Sequence, residues 1–207
     1  MPDLFCECSI GRKKDMQFLY DSENPFDARI ANAEMYRKGI ILAEWISFPF
    51  RTEDFRTVLG KIGIDENEKD ADKWCLIDYD SFVPGLCRHF GEHESVEVLN
   101  TLAGILCTLS DYDGMKFAAV SETGSFASAP EEYILLCAEL AEFTFYPHIC
   151  STYDLGYCFI LESGINDLQY FLRYMDFAGY GKDILQAGQG LFTGQGCLIR
   201  NSIHHKI

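Results

Sequence analysis

From Arg29 to Asp80 the apolar residues change spacing, from runs and alternation that suit strands to the three-and-four spacing of a helix and back again. Ile30-Ala31-Asn32 and Ile40 to Phe48 read as two strands joined through a turn at Tyr36-Arg37-Lys38-Gly39, which predicts a hairpin. Thr52 is then an N-cap, with Glu53 and Asp54 in the first turn, Phe55, Val58, Leu59 and Ile62 on one face, and Gly63 as the stop. That short helix covers the hairpin. After the hydrophilic run Asp65 to Lys73, Trp74 to Tyr79 reads as a third strand.

From Ser81 to Glu142 the period is helical. Val96, Leu99, Leu102, Ala103 and Leu106 form one stripe, Ser110 caps a segment that ends at Gly124, and Ser128, Pro130, Glu131 and Glu132 start another helix running to about Phe143. The last third is mixed: a strand over Phe143 to Ile149, a helix from a cap at Thr152 to Ser163 with Gly164 beyond it, a helix over Asp167 to Met175, and a hairpin over Leu191 to Arg200 that turns at Thr193-Gly194-Gln195-Gly196. Residues 1–29 show no sustained period and read as an irregular extension. The fold class expected is α+β, in three small subdomains: α/β with a hairpin over 30–80, a helical bundle over 81–142, and α/β with antiparallel strands over 143–207. No repeat of 20 to 50 residues occurs.

Charge changes this picture more than composition does. Residues 53–142 hold 19 Asp or Glu against 6 Lys or Arg, a net of −13 out of −15 for the whole chain. Such a field acts on solubility, steering and partner choice, and its natural partner is a strongly basic surface. A disordered acidic segment is poor in aromatics, whereas here Trp74, Phe82, Phe90, Tyr112, Phe117, Phe126 and Tyr133 are interleaved with the carboxylates. The charge therefore coats a folded body. The chain opens without a basic start followed by a long apolar run, and no uninterrupted apolar stretch approaches 18 residues, which gives the expectation of a soluble cytoplasmic protein. Nine cysteines, an odd number without a secretory signal, read as reduced thiols.

The catalytic alternatives are thin. His89, His93 and His148 with Cys75, Cys87 or Cys107 match no nucleophile-and-base spacing, and acidic surroundings raise a thiol pKa. Cys87 with His89-x3-His93 lacks the paired Cys units of zinc sites, and Cys6-x-Cys8 is too short a spacing for them. Asp65 to Asp72 lacks the central Gly and terminal Glu of a calcium loop, while Gly188-x-Gly190 and Gly194-x-Gly196 are followed by no helix pattern. No cofactor or metal is expected. Carboxylates, by contrast, can be set about 5 to 6 Å apart on a helix face, and duplex DNA carries about one charge per 1.7 Å, so 19 of them match roughly ten base pairs. The plain alternative is a solvated acidic face that keeps the protein soluble.

Ile30-Ala31-Asn32, Tyr36-x2-Gly39, Glu44-Trp45-Ile46-Ser47-Phe48-Pro49 and the helix through Val58 and Ile62 resemble the opening domain of the ArdA-type antirestriction proteins. Tyr153-Asp154, Leu161-Glu162-Ser163-Gly164 and the turn Ala178-Gly179-Tyr180-Gly181-Lys182-Asp183 look like the closing domain of the same family. The matches span about residues 30 to 200; the middle matches only in being acidic and helical, and residues 1–29 lie outside.

The resemblance implies a bacterial, non-enzymatic DNA mimic carried on mobile elements such as conjugative transposons. It would inhibit type I restriction-modification enzymes through their methyltransferase core and bind no nucleic acid and no membrane. It also implies an elongated, curved molecule that forms a homodimer through its last subdomain. The phosphate-mimicking positions expected are Asp65, Glu66, Glu68, Asp70, Asp72, Asp78, Asp80, Glu92, Glu94, Glu97, Asp111, Asp113, Glu122, Glu131, Glu132, Glu139 and Glu142. The rival is an acidic interaction module for another basic DNA-binding protein.

Overall fold

Phe26, Ala28 and Ile30 are buried and alternate with the less buried Asp27 and Arg29, and that two-residue period makes the first strand, β1 (Phe26–Asn32). The strand starts four residues before the expected Ile30, inside the stretch read as irregular. The computed structural model describes residues 24–65, 71–163 and 172–201. Asn32 ends β1 and caps the next element: its Oδ1 accepts from Met35 N at 3.1 Å, opening a short helix, α1 (Ala33–Arg37), where a turn was expected. Its Nδ2 donates to Ile62 O at 3.1 Å. Gly39, at φ +78°, then redirects the chain, and β2 (Ala43–Phe48) pairs antiparallel with β1, Phe26 opposite Phe48 and Ala31 opposite Ala43. The link is thus a helix and a loop, not a tight hairpin, and Ile40 to Leu42 precede the strand because Ile40 N bonds to Met35 O.

Helix α2 (Thr52–Lys61) begins one residue before its expected cap allows. Arg51 is the N-cap, and the Asp54 carboxylate accepts from Arg51 N at 3.2 Å. Val58 and Leu59 face the core and Gly63 follows at φ +73°. Strand β3 (Trp74–Ser81) joins the other side of β1, so the sheet order is β2-β1-β3 with β1 central. Three helices follow: α3 (Val96–Leu106), capped by Ser95; α4 (Asp111–Thr123), capped by Ser110 and closed by Gly124 at φ 63°; and α5 (Pro130–Glu139), continued by a 3-10 turn over Leu140–Glu142. The expected α3 stripe, Val96, Leu99, Leu102, Ala103 and Leu106, is buried in full.

Rings join the first sheet to these helices. Trp74, Phe55, Phe50, Phe48, Phe26, Phe90, Tyr133 and Phe117 touch in series at centroid distances from 5.0 to 6.3 Å. Aromatic pairs in edge or stacked geometry add about 0.5–1.5 kcal/mol beyond their burial. Asn100 of α3 fastens the exit of β2 as well, accepting from Phe50 N at 2.7 Å and donating to Phe50 O at 3.3 Å. The buried cluster is continuous from Phe26 to Phe145 and Leu198.

Strand β4 (Phe143–Pro147) ends before His148, which takes φ 63°. Ser151, not Thr152, caps α6 (Thr152–Glu162), its Oγ accepting from Asp154 N at 3.1 Å. Of the helix expected over Asp167 to Met175, residues 167–171 lie outside the described residues and Leu172–Tyr174 form a 3-10 turn. The expected turn at Ala178 to Asp183 is instead the body of α7 (Phe177–Ala187), with the Asp176 carboxylate accepting from Gly179 N at 2.9 Å. Gly181 of α7 and Gly156 of α6 have a packing cause. A Cβ on Gly181 would stand 1.8 Å from Thr152 O, and one on Gly156 would stand 2.0 Å from Phe177 O, so α6 and α7 touch backbone to backbone there. Strands β5 (Leu191–Thr193) and β6 (Gly196–Arg200) form the expected hairpin and complete a second antiparallel sheet, order β4-β6-β5. The architecture is mixed α+β with two small antiparallel sheets.

Candidate functional site

Carboxylates reach the surface on β3, on the loop after it and on α3 to α5. Asp65, Asp72, Asp78, Asp80, Glu92, Glu97, Asp111, Glu131, Glu132, Glu139 and Glu142 are exposed, and Glu94, Asp113 and Glu122 are half-buried. Glu66, Glu68 and Asp70 lie outside the described residues. On β3 the pairing with β1 slips by one residue at Ile77, and this irregularity turns Asp78 and Asp80 outward although they lie an even number of residues from inward Trp74 and Leu76. Glu131 and Glu139 lie eight residues apart on α5, on the side away from buried Tyr133, Leu136 and Leu140.

These carboxylates divide by what they touch. Several close helix starts: Asp113 accepts from Ser110 Oγ at 2.8 Å, Glu97 from Ser95 Oγ at 2.9 Å, and Glu132 from Ser128 N at 2.7 Å, Ser128 Oγ at 3.0 Å and Ala129 N at 3.3 Å. The Ser128 amide and hydroxyl, then the Ala129 amide, hold the Glu132 carboxyl below its usual range. Glu94 accepts from Gly91 N at 2.9 Å and Asp78 from Tyr79 N at 2.9 Å. Glu122 does something else. Both its oxygens accept from Gly194 N, at 3.2 and 3.0 Å, tying the end of α4 to the β5–β6 turn.

Asp80, Glu92, Asp111, Glu131 and Glu139 have no Lys, Arg or His of the described residues within ion-pair reach, while Glu142 meets Arg200 at 3.9 Å. Helices α3, α4 and α5 carry no basic residue in their last turns, and Glu122, Glu139 and Glu142 stand at or just beyond helix C-termini. A carboxylate there opposes the helix dipole, by about 0.3–1 kcal/mol for an exposed group. Below the surface, Lys116 is 8% exposed; its Nζ donates to Leu140 O at 3.3 Å and lies 5.1 Å from the Tyr112 ring centroid, while Tyr112 Oη donates to Phe145 O at 2.7 Å. This i, i+4 pair binds α4 to the end of α5 and to β4.

No thiol is poised for nucleophilic work at the positions singled out. Burial pushes Cys87 up to about 12, with Asp80 adding to it, and burial also raises Cys75, helped by Glu92, and Cys107. Desolvation, rather than the acidic surroundings expected from sequence, is the larger cause. An open depression of ≈ 230 Å³ lies beside Leu76, Asp78, Tyr79, Cys87, Phe90 and Glu92, but Tyr79 Oη already donates to Gly91 O at 2.7 Å. Among the described residues no group of three or more His, Cys, Asp or Glu is placed to hold a metal ion, and no helix is long and apolar enough to cross a membrane.

Sequence reasoning passed over Asp27 and Arg29, which share the outward face of the first sheet with Trp45, Ser47, Asp78 and Asp80. The alternation from Phe26 to Ile30 was the signal that places them. No curated protein matches the chain. The model of the antirestriction protein (ArdA) family matches residues 28–198, which takes in every described element except the ends of β1 and β6. The chain belongs to the antirestriction protein (ArdA) family.

Proposed function

We propose that this protein is a non-enzymatic inhibitor of type I restriction-modification enzymes that takes the place of double-stranded DNA in the groove of the methyltransferase core. One observation carries the reading: Glu131 and Glu139 of α5 stand exposed with no Lys, Arg or His of the described residues within ion-pair reach, and Glu139 stands where the helix dipole opposes it, in a last turn without a cation. Fold stability does not call for that placement; a basic partner does. DNA-binding enzymes hold phosphates with Lys and Arg contacts that weaken steeply with salt, and a carboxylate array competes for the same cations. The series of eight rings under the array supports preorganisation, which avoids the ordering cost of a flexible acidic tail.

In this reading the working form is an elongated, cytoplasmic homodimer of three-subdomain chains. Tyr153, Tyr174, Met175 and Tyr180, exposed by 53, 76, 38 and 44%, offer an apolar surface on and beside α6 and α7 for a subunit contact. The test is displacement of a labelled duplex from a type I methyltransferase core. Wild type should compete, less well as salt rises, and neutralising any one carboxylate should change little. Neutralising Asp78, Asp80, Glu92, Glu131, Glu139 and Glu142 together should abolish competition. Failure of the wild type to displace DNA at low salt, or complete loss from one point variant, would sink the reading; the first result would point to a different basic DNA-binding protein as partner.

A further inference from the structure

Carboxylates alone imitate the part of DNA that positions proteins without carrying sequence information, so an array of them does not by itself choose between one DNA-binding enzyme and another. The first sheet has a face that supplies what the array lacks. Its inner face packs on the core through Phe26, Ala28, Ile30, Ile46 and Phe48, with Val58 and Leu59 of α2 and Val96 and Leu99 of α3 in the same cluster. On the outer face the strand register sets Trp45, Arg29 and Asp78 side by side across the three strands, then Ser47, Asp27 and Asp80; the next row, Ala43, Ala31 and Cys75, is covered by Ala33 and Tyr36 of α1. Trp45 is 45% exposed. At the head of the same strand Ile40, Ile41 and Leu42 are 53, 62 and 36% exposed, so four large apolar side chains within six residues face solvent. Three consecutive exposed apolar residues in the loop that leads into a strand exposing a tryptophan exceed the scatter of single side chains that is normal at a surface.

The same face carries unfavourable polar pairings. Asp27 stands directly opposite Asp80, a like-charge pair that destabilises a sheet by a few tenths of a kcal/mol or more. Asp27 Oδ1 and Arg29 Nε are shut off from solvent without a hydrogen-bond partner. Three aspartates against one arginine leave the face acidic along its β3 side. Such a border is complemented by a basic occupant, and it repels the acidic segment 53–142 of a second copy of the chain.

We propose that the outer face of the first sheet is a second contact surface for the enzyme that the acidic array engages: Trp45 and Ile41 take up an apolar patch, and Asp27, Asp78 and Asp80 take the arginines or lysines that border it. The proposal rests on the DNA-mimic reading and adds its specificity. Trp45 offers both apolar area and a ring face for a cation. Because apolar burial is insensitive to salt in the range where ion contacts fade, the face supplies a salt-resistant share of affinity.

The experiment measures displacement of a labelled duplex from a type I methyltransferase core over a series of salt concentrations, for wild type, Trp45→Ala, Ile41→Ser and the array variant Glu131→Gln/Glu139→Gln. Thermal unfolding and light scattering run alongside. Trp45→Ala should raise the half-inhibitory concentration by about tenfold or more, and Ile41→Ser by about fivefold, at every salt concentration and with the log–log slope unchanged. The array variant should flatten the slope. Folded Trp45→Ala and Ile41→Ser that both stay within about twofold of wild type, while wild type still shows its salt-dependent competition, overturn this proposal and leave the DNA-mimic reading standing. If Trp45→Ala does not fold, Ile41→Ser alone decides, since a side chain so exposed contributes little to the core. Two further results overturn it: conversion of a wild-type dimer to monomer by either variant, which makes the face a self-interface, or tighter inhibition on removing residues 1–23, which makes that segment its occupant. Absence of any competition by wild type removes both readings together.

Discussion

Substituting alanine for glycine should have opposite effects at two helical positions, and the reason is a distance. In Gly181→Ala the new methyl would stand 1.8 Å from Thr152 O and 2.8 Å from both Gly156 N and Thr152 C, all backbone atoms that no rotamer change can move. A carbon–oxygen contact relaxes only near 3.3 Å, so α6 and α7 must separate by about 1.5 Å along a contact now made backbone to backbone. Overpacking of this kind costs about 1–3 kcal/mol, and fixed backbone puts the site at the upper end even after alanine's helix preference of about 1 kcal/mol is credited. At about 2–4 °C per kcal/mol for a chain of this length, the melting temperature should fall by about 4–12 °C. In Gly104→Ala, inside α3, the methyl meets nothing within 4 Å, and stability should rise by about 0.5–1 kcal/mol. Both are read by thermal and urea unfolding followed by circular dichroism. A Gly181→Ala protein as stable as wild type, or two shifts of the same sign, would refute the account of how α6 meets α7.

Two further outcomes follow from the carboxylates and thiols. The Glu132 carboxyl sits below its ordinary value of 4.5 through the Ser128 and Ala129 donors, so its contribution is complete above that value and is lost as pH falls through the folded pKa; the gap in melting temperature between wild type and Glu132→Gln should hold steady near neutrality and close in acid. A gap that widens on acidification would contradict the assignment. In native protein a maleimide should modify the exposed Cys107 and Cys150, while Cys75 and Cys197, 4 and 0% exposed, should react only after denaturant, as peptide mass mapping can determine.

The elements with complete local signals are legible in the sequence. The stripe expected from Val96 to Leu106 is the buried face of α3, and the segment expected from a cap at Ser110 to Gly124 is α4, within about a residue at each end. Elements whose cause lies elsewhere in the chain are not. Gly181 looks like a turn residue because the partner that requires a missing Cβ, Gly156 with Thr152 in α6, is some 25 residues away, whereas a Cβ on Gly179 would meet the capping Asp176 carboxylate. The stretch Tyr36 to Gly39 has turn composition, yet Asn32 caps a helix just before it, and the same Asn32 is held by Ile62 O from beyond α2. Charge at the surface follows local sequence, so none of the fourteen expected carboxylates within the described residues is fully buried. What a carboxylate touches was not legible: Glu122 belongs to a contact with Gly194 that spans 72 residues.

The division of carboxylates by contact separates two properties that net charge merges. Glu97, Asp113 and Glu132 accept hydrogen bonds at helix starts, so neutralising them removes stability and array charge together. The carboxylates of Asp80, Glu92, Glu131 and Glu139 make no hydrogen bond or ion pair within the described residues, and neutralising them removes charge while relieving repulsion in a segment of net −13. If the surface existed only to keep the protein soluble, the two sets would be interchangeable at equal charge. If it is held for a basic groove, the second set carries binding at a cost in stability. Replacing Asp80, Glu92, Glu131 and Glu139 by amides should therefore raise the melting temperature and weaken DNA displacement at once, and a set that moved both in the same direction would mean that these side chains serve the fold.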